Sequence, residues 1–276
     1  MLPSFLIMLR EGLEAALIVG IIASYLARTG RAAWLPTVWV GILLAVALSL
    51  FVGAGVLILG AQFPQKTQEL FEAIVGTVAV IVLVSMVFWM RKAARSIKKT
   101  MEHDIDVALS DARGPAWALI GMSFFAVARE GLESVFFLLA LFQQSPGPAA
   151  PMGAVLGVLV AALLGYGIYR GGVRLDLRRF FLWTGAFIIF VAAGLASSVL
   201  RNLHEAGIWN HLQQTVWDMT RTLPVSSVTG TVLSGVFGYH DAPVLGEVIL
   251  WALVLFVTLY FFLRPASTPQ PAKQGA

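Results

Sequence analysis

The amino-acid sequence predicts an all-α polytopic membrane protein with seven transmembrane helices, arranged as an inverted 3+3 helix repeat plus a seventh helix. Three observations lead to this fold class: an unusually apolar composition, seven long apolar segments, and a charged pentapeptide that occurs twice. Of the 276 residues, 58% are hydrophobic and only 12% are charged, whereas soluble domains carry about 25% charged residues. A chain of this composition has mostly lipid as its solvent.

Seven segments are long and apolar enough to cross the hydrocarbon core of a bilayer, which takes about 20 residues of helix. Their apolar runs are too long and too continuous for the alternating strands of a membrane barrel, so each is predicted to be a helix. By residue number the segments are roughly 3–27, 34–61, 68–90, 116–142, 150–171, 179–200 and 245–263.

Basic residues in the connecting loops predict the orientation, because cytoplasmic loops are enriched in Lys and Arg. The loops after the first, third and fifth segments and the C-terminal tail are basic. The loop after the second segment has only Lys66, and the loop after the fourth, QQSPGPAAPMG, has no basic residue. We therefore expect the N-terminus outside and the C-terminus in the cytoplasm. The basic cytoplasmic positions are Arg28, Arg31, Arg91, Lys92, Arg95, Lys98, Lys99, Arg113, Arg170, Arg174, Arg178, Arg179, Arg264 and Lys273.

Residues 1–264 are predicted to form a single transmembrane domain. Repeat A covers about residues 1–91 and repeat B about 116–201, each with three helices. The polar stretch RKAARSIKKTMEHDIDVALSDARG between the repeats is helix-prone, and we expect a helical connector in the cytoplasm.

An outer loop at about residues 202–244 is predicted to precede the seventh helix at 245–263. Within this loop the sequence HLQQTVWDMTRTL, residues 211–223, places four apolar residues on one helical face, which predicts a short amphipathic helix at the outer membrane surface. The Pro-rich tail, residues 265–276, is expected to be a disordered cytoplasmic segment.

The pentapeptide REGLE occurs at residues 10–14 and again, 119 residues later, at residues 129–133. Three spans separate the copies, so the first and fourth helices run in opposite directions, as in inverted-repeat transporters with an ion site near mid-membrane. In a helix with about 100° per residue, the Arg and both Glu residues of one copy share a face. The Arg faces the second Glu at i,i+4, and the carboxylates are i,i+3 neighbours.

Charged residues at mid-membrane are unfavourable by about 2.5–3.5 kcal/mol each, which calls for a function. If the two charged faces meet, four carboxylates and two guanidiniums converge, and their formal charge of −2 suits one multivalent cation. Carboxylate oxygens are hard ligands that favour Mg²⁺, Ca²⁺, Mn²⁺ or iron. The predicted metal ligands are Glu11, Glu14, Glu130 and Glu133, with Arg10 and Arg129 as charge-setting ion-pair partners.

Gly12 and Gly131 are predicted to let the two motif-bearing helices approach each other closely. A purely structural interpretation of each motif is an intramembrane Arg–Glu salt bridge that joins helices. Such a bridge leaves a second glutamate unpaired in each copy, so two copies favour an ion site over a structural one.

A second E-x-x-E pattern, Glu69 and Glu72, opens the third segment, and the outer loop contributes His204, Glu205 and His211. These residues are predicted to form an outer access site for the ion. Two interpretations without an ion remain open. Acidic residues at a helix N-terminus also stabilise the helix dipole, and a single polar loop residue is commonly an ordinary solvent-exposed residue.

Other functional classes find little support. A membrane carboxylate-metal oxidase of the helix-bundle type uses E-x-x-H pairs, but no glutamate in the chain has His three residues later. A retinal protein needs a Schiff-base Lys, which the seventh segment lacks. With no cysteine and no ATP-binding loop, we predict no catalytic residues and no permanently bound cofactor. A general divalent-cation transporter remains an open alternative.

The stretches LREGLEAALIV, FPQKTQELFE, VFWMRK, FFAVAREGLESVFFLL, HEAGIWNH and FGYHDAP span nearly the whole chain. In them the chain resembles the oxidase-dependent iron transporter family, which includes fungal high-affinity iron permeases and bacterial EfeU-type permeases. The resemblance implies seven transmembrane helices and iron import through the bacterial inner membrane, with Fe²⁺ or Fe³⁺ as the transported ion. It implies that both R-E-x-x-E motifs carry the iron. It also implies periplasmic iron-handling partners in a three-component system. The net charge of +4 does not suggest a nucleic-acid partner.

Overall fold

A computed structural model of the chain describes residues 1–60, 64–93, 97–110, 114–144, 147–169 and 177–264. Within these ranges the regular secondary structure is helical, apart from one isolated antiparallel β-bridge between Thr215 and Val244. The α-helices are α1 Leu2–Arg28, α2 Leu35–Gly60, α3 Gln65–Ala93, α4 Ile97–Ser110, α5 Pro115–Gln144, α6 Ala149–Tyr169, α7 Leu177–Glu205, α8 Val228–Phe237 and α9 Leu245–Leu263, with a 3₁₀ turn at Ala32–Trp34.

Each of the seven predicted apolar segments overlaps one long helix: α1, α2, α3, α5, α6, α7 or α9. The second segment starts at Trp34 in the 3₁₀ turn, and residues 61, 170 and 171 lie outside the described residues. Among the described residues, five helices are long and apolar enough to cross a membrane: α2, α3, α6, α7 and α9. α1 and α5 are long enough, at 27 and 30 residues, but each carries the three charged residues of its R-E-x-x-E motif. The prediction of an all-helical, multi-pass membrane protein is confirmed.

α1 and α5 run antiparallel through the centre of the fold. Ile7, near the start of α1, shares a buried apolar cluster with Phe137, near the end of α5. Ile22, near the end of α1, shares a second cluster with Leu119, near the start of α5. The charged motifs lie between these two clusters, so apolar packing closes the site at both of its ends.

Glycines bring α2 against α5 and α6 against α1. A Cβ atom added at Gly41 of α2 would lie 2.5 Å from the carbonyl oxygen of Ile120 in α5. A Cβ atom added at Gly153 of α6 would clash with the carbonyl group of Met1, just before α1. Small residues allow such close helix contact in membranes, where van der Waals packing holds helices together.

The helical connector is confirmed by α4, which packs across the C-terminal end of α1. The Arg28 guanidinium lies 3.2 Å from the Glu102 carboxylate, and the Arg31 guanidinium lies 3.0 Å from Asp106. The Tyr25 hydroxyl donates a hydrogen bond of 2.7 Å to the same Asp106. These polar contacts attach the connector to the motif-bearing helix.

The predicted amphipathic helix over residues 211–223 is wrong. Leu212 has a left-handed backbone, with φ of 60°, which interrupts any helix. The amide of Val216 donates to the Pro243 carbonyl (3.0 Å) and that of Met219 to the Asp241 carbonyl (2.7 Å). At Val216 and Met219, backbone pairing with the segment before α9 therefore replaces the i→i−4 bonds of a helix.

The outer loop instead contains the ten-residue helix α8. Its first turn is capped by the Ser227 hydroxyl, which accepts from the Gly230 amide, and it ends at Gly238, whose φ of 68° favours glycine. The tail at residues 265–276, predicted to be disordered, lies outside the described residues. So do Arg95, Arg113, Arg170 and Arg174, four of the basic residues behind the predicted orientation.

Candidate metal site

Helical periodicity turns the charged residues of α1 into the centre of the fold. Arg10 and Glu11 are each 1% exposed, and Glu14 is 6% exposed. In α5, Glu130 is 5% exposed. Charged side chains are almost never buried to this degree unless they are paired or bind an ion.

Three glutamates converge where α1 and α5 cross. Glu11, Glu14 and Glu130 each offer a carboxylate oxygen, and the three oxygens lie within 4.8 Å of one another. Among the described residues, this is the one group of three acidic or histidine side chains close enough to hold a metal ion. The structure thus brings together three of the four predicted ligands.

The two arginines occupy different surroundings. The Arg10 Nε atom lies 3.1 Å from Glu14 Oε1, and its Nη1 atom lies 3.8 Å from Glu11 Oε1. The Arg129 Nε atom donates a 3.0 Å hydrogen bond to Glu133 Oε1. The Arg129 side chain is 47% exposed and that of Glu133 is 15% exposed, so this second pair lies at the edge of the cluster.

The cluster leaves several buried polar atoms without a hydrogen-bond partner. In the described part of the chain, every such side-chain atom belongs to an R-E-x-x-E motif: Arg10 Nε and Nη1, both Glu11 oxygens, Glu14 Oε1, Glu130 Oε2 and Glu133 Oε2. An unpartnered buried polar atom is unfavourable by about 1–3 kcal/mol, more when charged. Five carboxylate oxygens in this condition, with a formal excess of negative charge, are suited to bind a cation.

The glycines of the two motifs do not face each other, contrary to the sequence prediction. A Cβ atom at Gly12 would lie 2.6 Å from the Ala161 side chain of α6, and one at Gly131 would meet Ser49 of α2. The charged face of each motif turns toward the site, so the glycine on the opposite side meets a neighbouring helix. These glycines seat α6 and α2 behind the site.

The predicted outer glutamates meet near the N-terminal end of α3. The Glu69 carboxylate interacts with those of Glu72 and Glu205. Glu72 also accepts from Gln68 (3.1 Å) and from Asn202 (3.5 Å). Glu72 and Asn202 line a cavity of about 120 Å³ together with residues of α5, α7 and α8.

The two predicted histidines lie near the end of α7 and in the loop that follows it, and both contact Trp209. His204 Nδ1 donates to the Trp209 carbonyl oxygen at 3.0 Å, so a neutral His204 ring keeps its lone pair on Nε2. The His211 ring packs edge-on against Trp209, with 5.6 Å between ring centroids. His204 follows Glu72's partner Asn202 on α7, whereas His211 lies on the irregular loop.

Sequence reasoning missed two polar contacts. Arg201 of α7 forms a two-pronged ion pair with Glu247 of α9, with both distances at 3.0 Å. Glu247 is the single acid in the apolar α9 sequence, and that isolation was the available signal. The second contact places the Arg129 guanidinium carbon 4.2 Å from the centroid of the Trp89 ring, and no sequence pattern pointed to it.

Comparison with known proteins assigns a family to this architecture. The family described as "Iron permease FTR1 family" matches residues 1–266. The chain is 55% identical over 277 residues to "Ferrous iron permease EfeU" of Yersinia pestis, covering 100% of this chain and 98% of that protein. It is 52% identical over 276 residues to the protein of the same name from Escherichia coli O157:H7, covering 100% of both. No solved structure matches the chain.

Proposed function

Because the chain belongs to the iron permease FTR1 family, we propose that it imports iron ions through a mid-membrane site built by its two R-E-x-x-E motifs. The chain is a permease and not an enzyme, like the relatives it matches. The observation that carries the proposal is the convergence of Glu11, Glu14 and Glu130. Their unpartnered oxygens are hard ligands suited to iron.

We also propose that seven helices span the membrane as two inverted halves, α1–α3 and α5–α7, followed by α9. Packing contacts support this arrangement. Gly41 of α2 meets Ile120 in α5, and Gly153 of α6 meets Met1 at α1. Gly41 and Gly153 are 112 residues apart, and Met1 and Ile120 are 119 apart, the same interval that separates the two pentapeptides.

A second pair of glycine contacts shows the same spacing between the two halves, 12 residues further along α2 and α6. Gly53 of α2 faces Val135 of α5, and Gly165 of α6 faces Ala16 of α1. Gly53 and Gly165 are again 112 residues apart, and Ala16 and Val135 are again 119 apart. Exchange of the two halves maps one contact onto the other, as expected for an internal twofold relation in an inverted-repeat transporter.

In this proposal the chain lies in a bacterial inner membrane with its N-terminus outside. The connector α4 and the basic loops then lie in the cytoplasm, in agreement with the positive-inside rule. With that orientation, the acidic group of Glu69, Glu72 and Glu205 faces outward. It raises the local concentration of cations at the outer end of the bundle.

The ion first exchanges part of its hydration shell for the oxygens of the outer carboxylates. It then passes to Glu11, Glu14 and Glu130. The Arg10 guanidinium, 3.1 Å from Glu14, offsets part of the negative charge when no ion is bound. Fe²⁺ is the proposed cargo, in keeping with the name of the matching relatives. Movement of one half of the bundle against the other opens the site to the cytoplasm.

The test is iron uptake by cells that lack other iron importers. Glu14→Gln removes one ligand charge and keeps the side-chain volume, so radioactive Fe²⁺ uptake should fall at least about tenfold, the equivalent of 1.4 kcal/mol. Glu102→Gln removes the same charge from α4, outside the site, and should leave uptake unchanged. Equal uptake by both variants at equal abundance would refute the proposal.

Competition separates the iron permease from a broader divalent-cation transporter. Hard oxygen ligands suit Mn²⁺ and Fe²⁺ alike, so the glutamates alone do not guarantee selectivity. At saturating Fe²⁺, an iron permease should keep its uptake of radioactive Fe²⁺ in a tenfold excess of Mn²⁺ or Zn²⁺. A transporter with equal affinities for the two metals loses about 90% at this ratio. A loss of that size would favour the broader function.

A further inference from the structure

The two R-E-x-x-E copies have the same sequence but different neighbours around the arginine. Arg10 is 1% exposed, and no cation–π contact to it occurs among the described residues. Arg129 is 47% exposed, and its guanidinium carbon lies 4.2 Å from the Trp89 ring centroid. That distance is well within the range of about 6 Å for a cation–π interaction.

The glutamates differ in the same way. Arg10 lies within ion-pair distance of both glutamates of its own copy, at 3.8 Å from Glu11 and 3.1 Å from Glu14. Arg129 pairs with Glu133 at 3.0 Å, and in the described part of the chain Glu130 forms no ion pair. Glu130 is also the member of the second copy that joins Glu11 and Glu14 in the carboxylate group.

We propose that Trp89 is a positioning residue of the iron site. Its ring holds the Arg129 guanidinium beside Glu133 and away from Glu130, so that Glu130 stays available as the third ligand with Glu11 and Glu14. Glu133 then serves as the ion-pair partner of Arg129. The four motif glutamates therefore have unequal roles, and this inference rests on the proposed iron site because it assigns roles within it.

The α1 copy indicates what Arg129 would do without the tryptophan. Arg10 has no ring of a described residue over its guanidinium, and it approaches the adjacent glutamate, Glu11, to 3.8 Å. In the α5 copy, Glu130 occupies the position next to Arg129 that Glu11 occupies next to Arg10. If Arg129 were released from Trp89, an ion pair with the buried Glu130 would be favourable. A guanidinium at that position would compete with the ion for the carboxylate.

Three variants of the full chain test the role of the ring, with radioactive Fe²⁺ uptake as the readout. Trp89→Leu removes the aromatic face and should raise the KM for iron about three- to tenfold, with a smaller change in maximal rate. Trp89→Phe keeps an aromatic face and should restore a KM close to that of the wild type. Trp117→Leu is the matched control, because Trp117 is an exposed tryptophan on α5. An unchanged KM in Trp89→Leu, or an equal rise in Trp89→Phe, would overturn the inference.

Thermal unfolding of the purified protein provides a readout that needs no iron. If Trp89 and Arg129 interact, the melting shifts of Trp89→Leu and Arg129→Leu should sum to more than the shift of the double variant. Additive shifts would show that the contact is not formed and overturn the inference. Glu14→Gln separates the two proposals: unchanged iron uptake in that variant removes the proposed function, while the melting comparison still judges the Trp89 contact.

Discussion

Separate replacement of Glu14 and Glu133 by glutamine compares two chemically identical ion pairs in different surroundings. Each change removes one negative charge at i,i+4 from an arginine in the same pentapeptide. Glu14 is buried against a buried Arg10, and removal of one partner from such a pair destabilises a protein by about 3–5 kcal/mol. Glu11 remains 3.8 Å from Arg10, so we expect the lower end, about 3 kcal/mol.

Glu133 leaves behind an arginine that is half exposed and rests on Trp89. Exposed ion pairs contribute about 0–1 kcal/mol, so Glu133→Gln should destabilise the protein by less than about 1 kcal/mol. The expected difference between the two variants is therefore about 2–3 kcal/mol. The difference arises from the surroundings of each copy, since the two pentapeptides are the same.

The free energy of unfolding of the purified protein, measured by denaturant titration in detergent without iron, gives this difference directly. Lys66→Gln, at an exposed position in the first turn of α3, serves as a control for the loss of a surface charge and should leave stability unchanged. Equal destabilisation by Glu14→Gln and Glu133→Gln would refute the reasoning. A larger effect at Glu133 would place the more buried pair in α5.

Two further predictions concern other parts of the fold. Gly157→Ala puts a methyl group 2.5 Å from a backbone oxygen of α1 and should destabilise the protein by about 1–3 kcal/mol. Gly20 has open space around it, so Gly20→Ala should be neutral or stabilising in the same unfolding titration. The pKa of Asp106 is held below its usual value by the Tyr25 hydroxyl, with further help from Arg31. Its contribution to α4 docking is therefore complete above the ordinary Asp pKa and is lost as the pH falls through the lowered value. The protection of the α4 amides against hydrogen exchange, measured relative to the intrinsic exchange rate at each pH, should fall on acidification. Asp106→Asn should show that lower protection already at pH 7, and unchanged protection in the variant would contradict this assignment.

Much of the fold could be predicted from local sequence. Long apolar runs identified the seven long helices. A helix in lipid makes its backbone hydrogen bonds internally and presents apolar side chains to the lipid, so its sequence is a continuous apolar run. Helical periodicity placed Arg10, Glu11 and Glu14 on one face, and the structure turns that face inward. The polar connector was also foreseeable, since its acidic residues are opposite in charge to the arginines at the end of α1.

Predictions failed where a segment's partner lies far away in the chain. Residues 211–223 have the spacing of an amphipathic helix, but their amides bond to carbonyls near Pro243, which no local pattern reveals. Gly12 and Gly131 were assigned to the wrong neighbours. Sequence identifies a small residue, whereas the packing of α6 and α2 decides what that residue meets.

The sequence by itself determined that two identical charged pentapeptides sit in two long helices, and that their carboxylates outnumber their guanidiniums. Only the tertiary structure decided that Arg10 is buried while Arg129 rests half exposed on Trp89. Identical pentapeptides have identical local preferences, so a difference between them arises from the helices packed around each copy. That packing makes Glu130 rather than Glu133 the third member of the carboxylate group with Glu11 and Glu14.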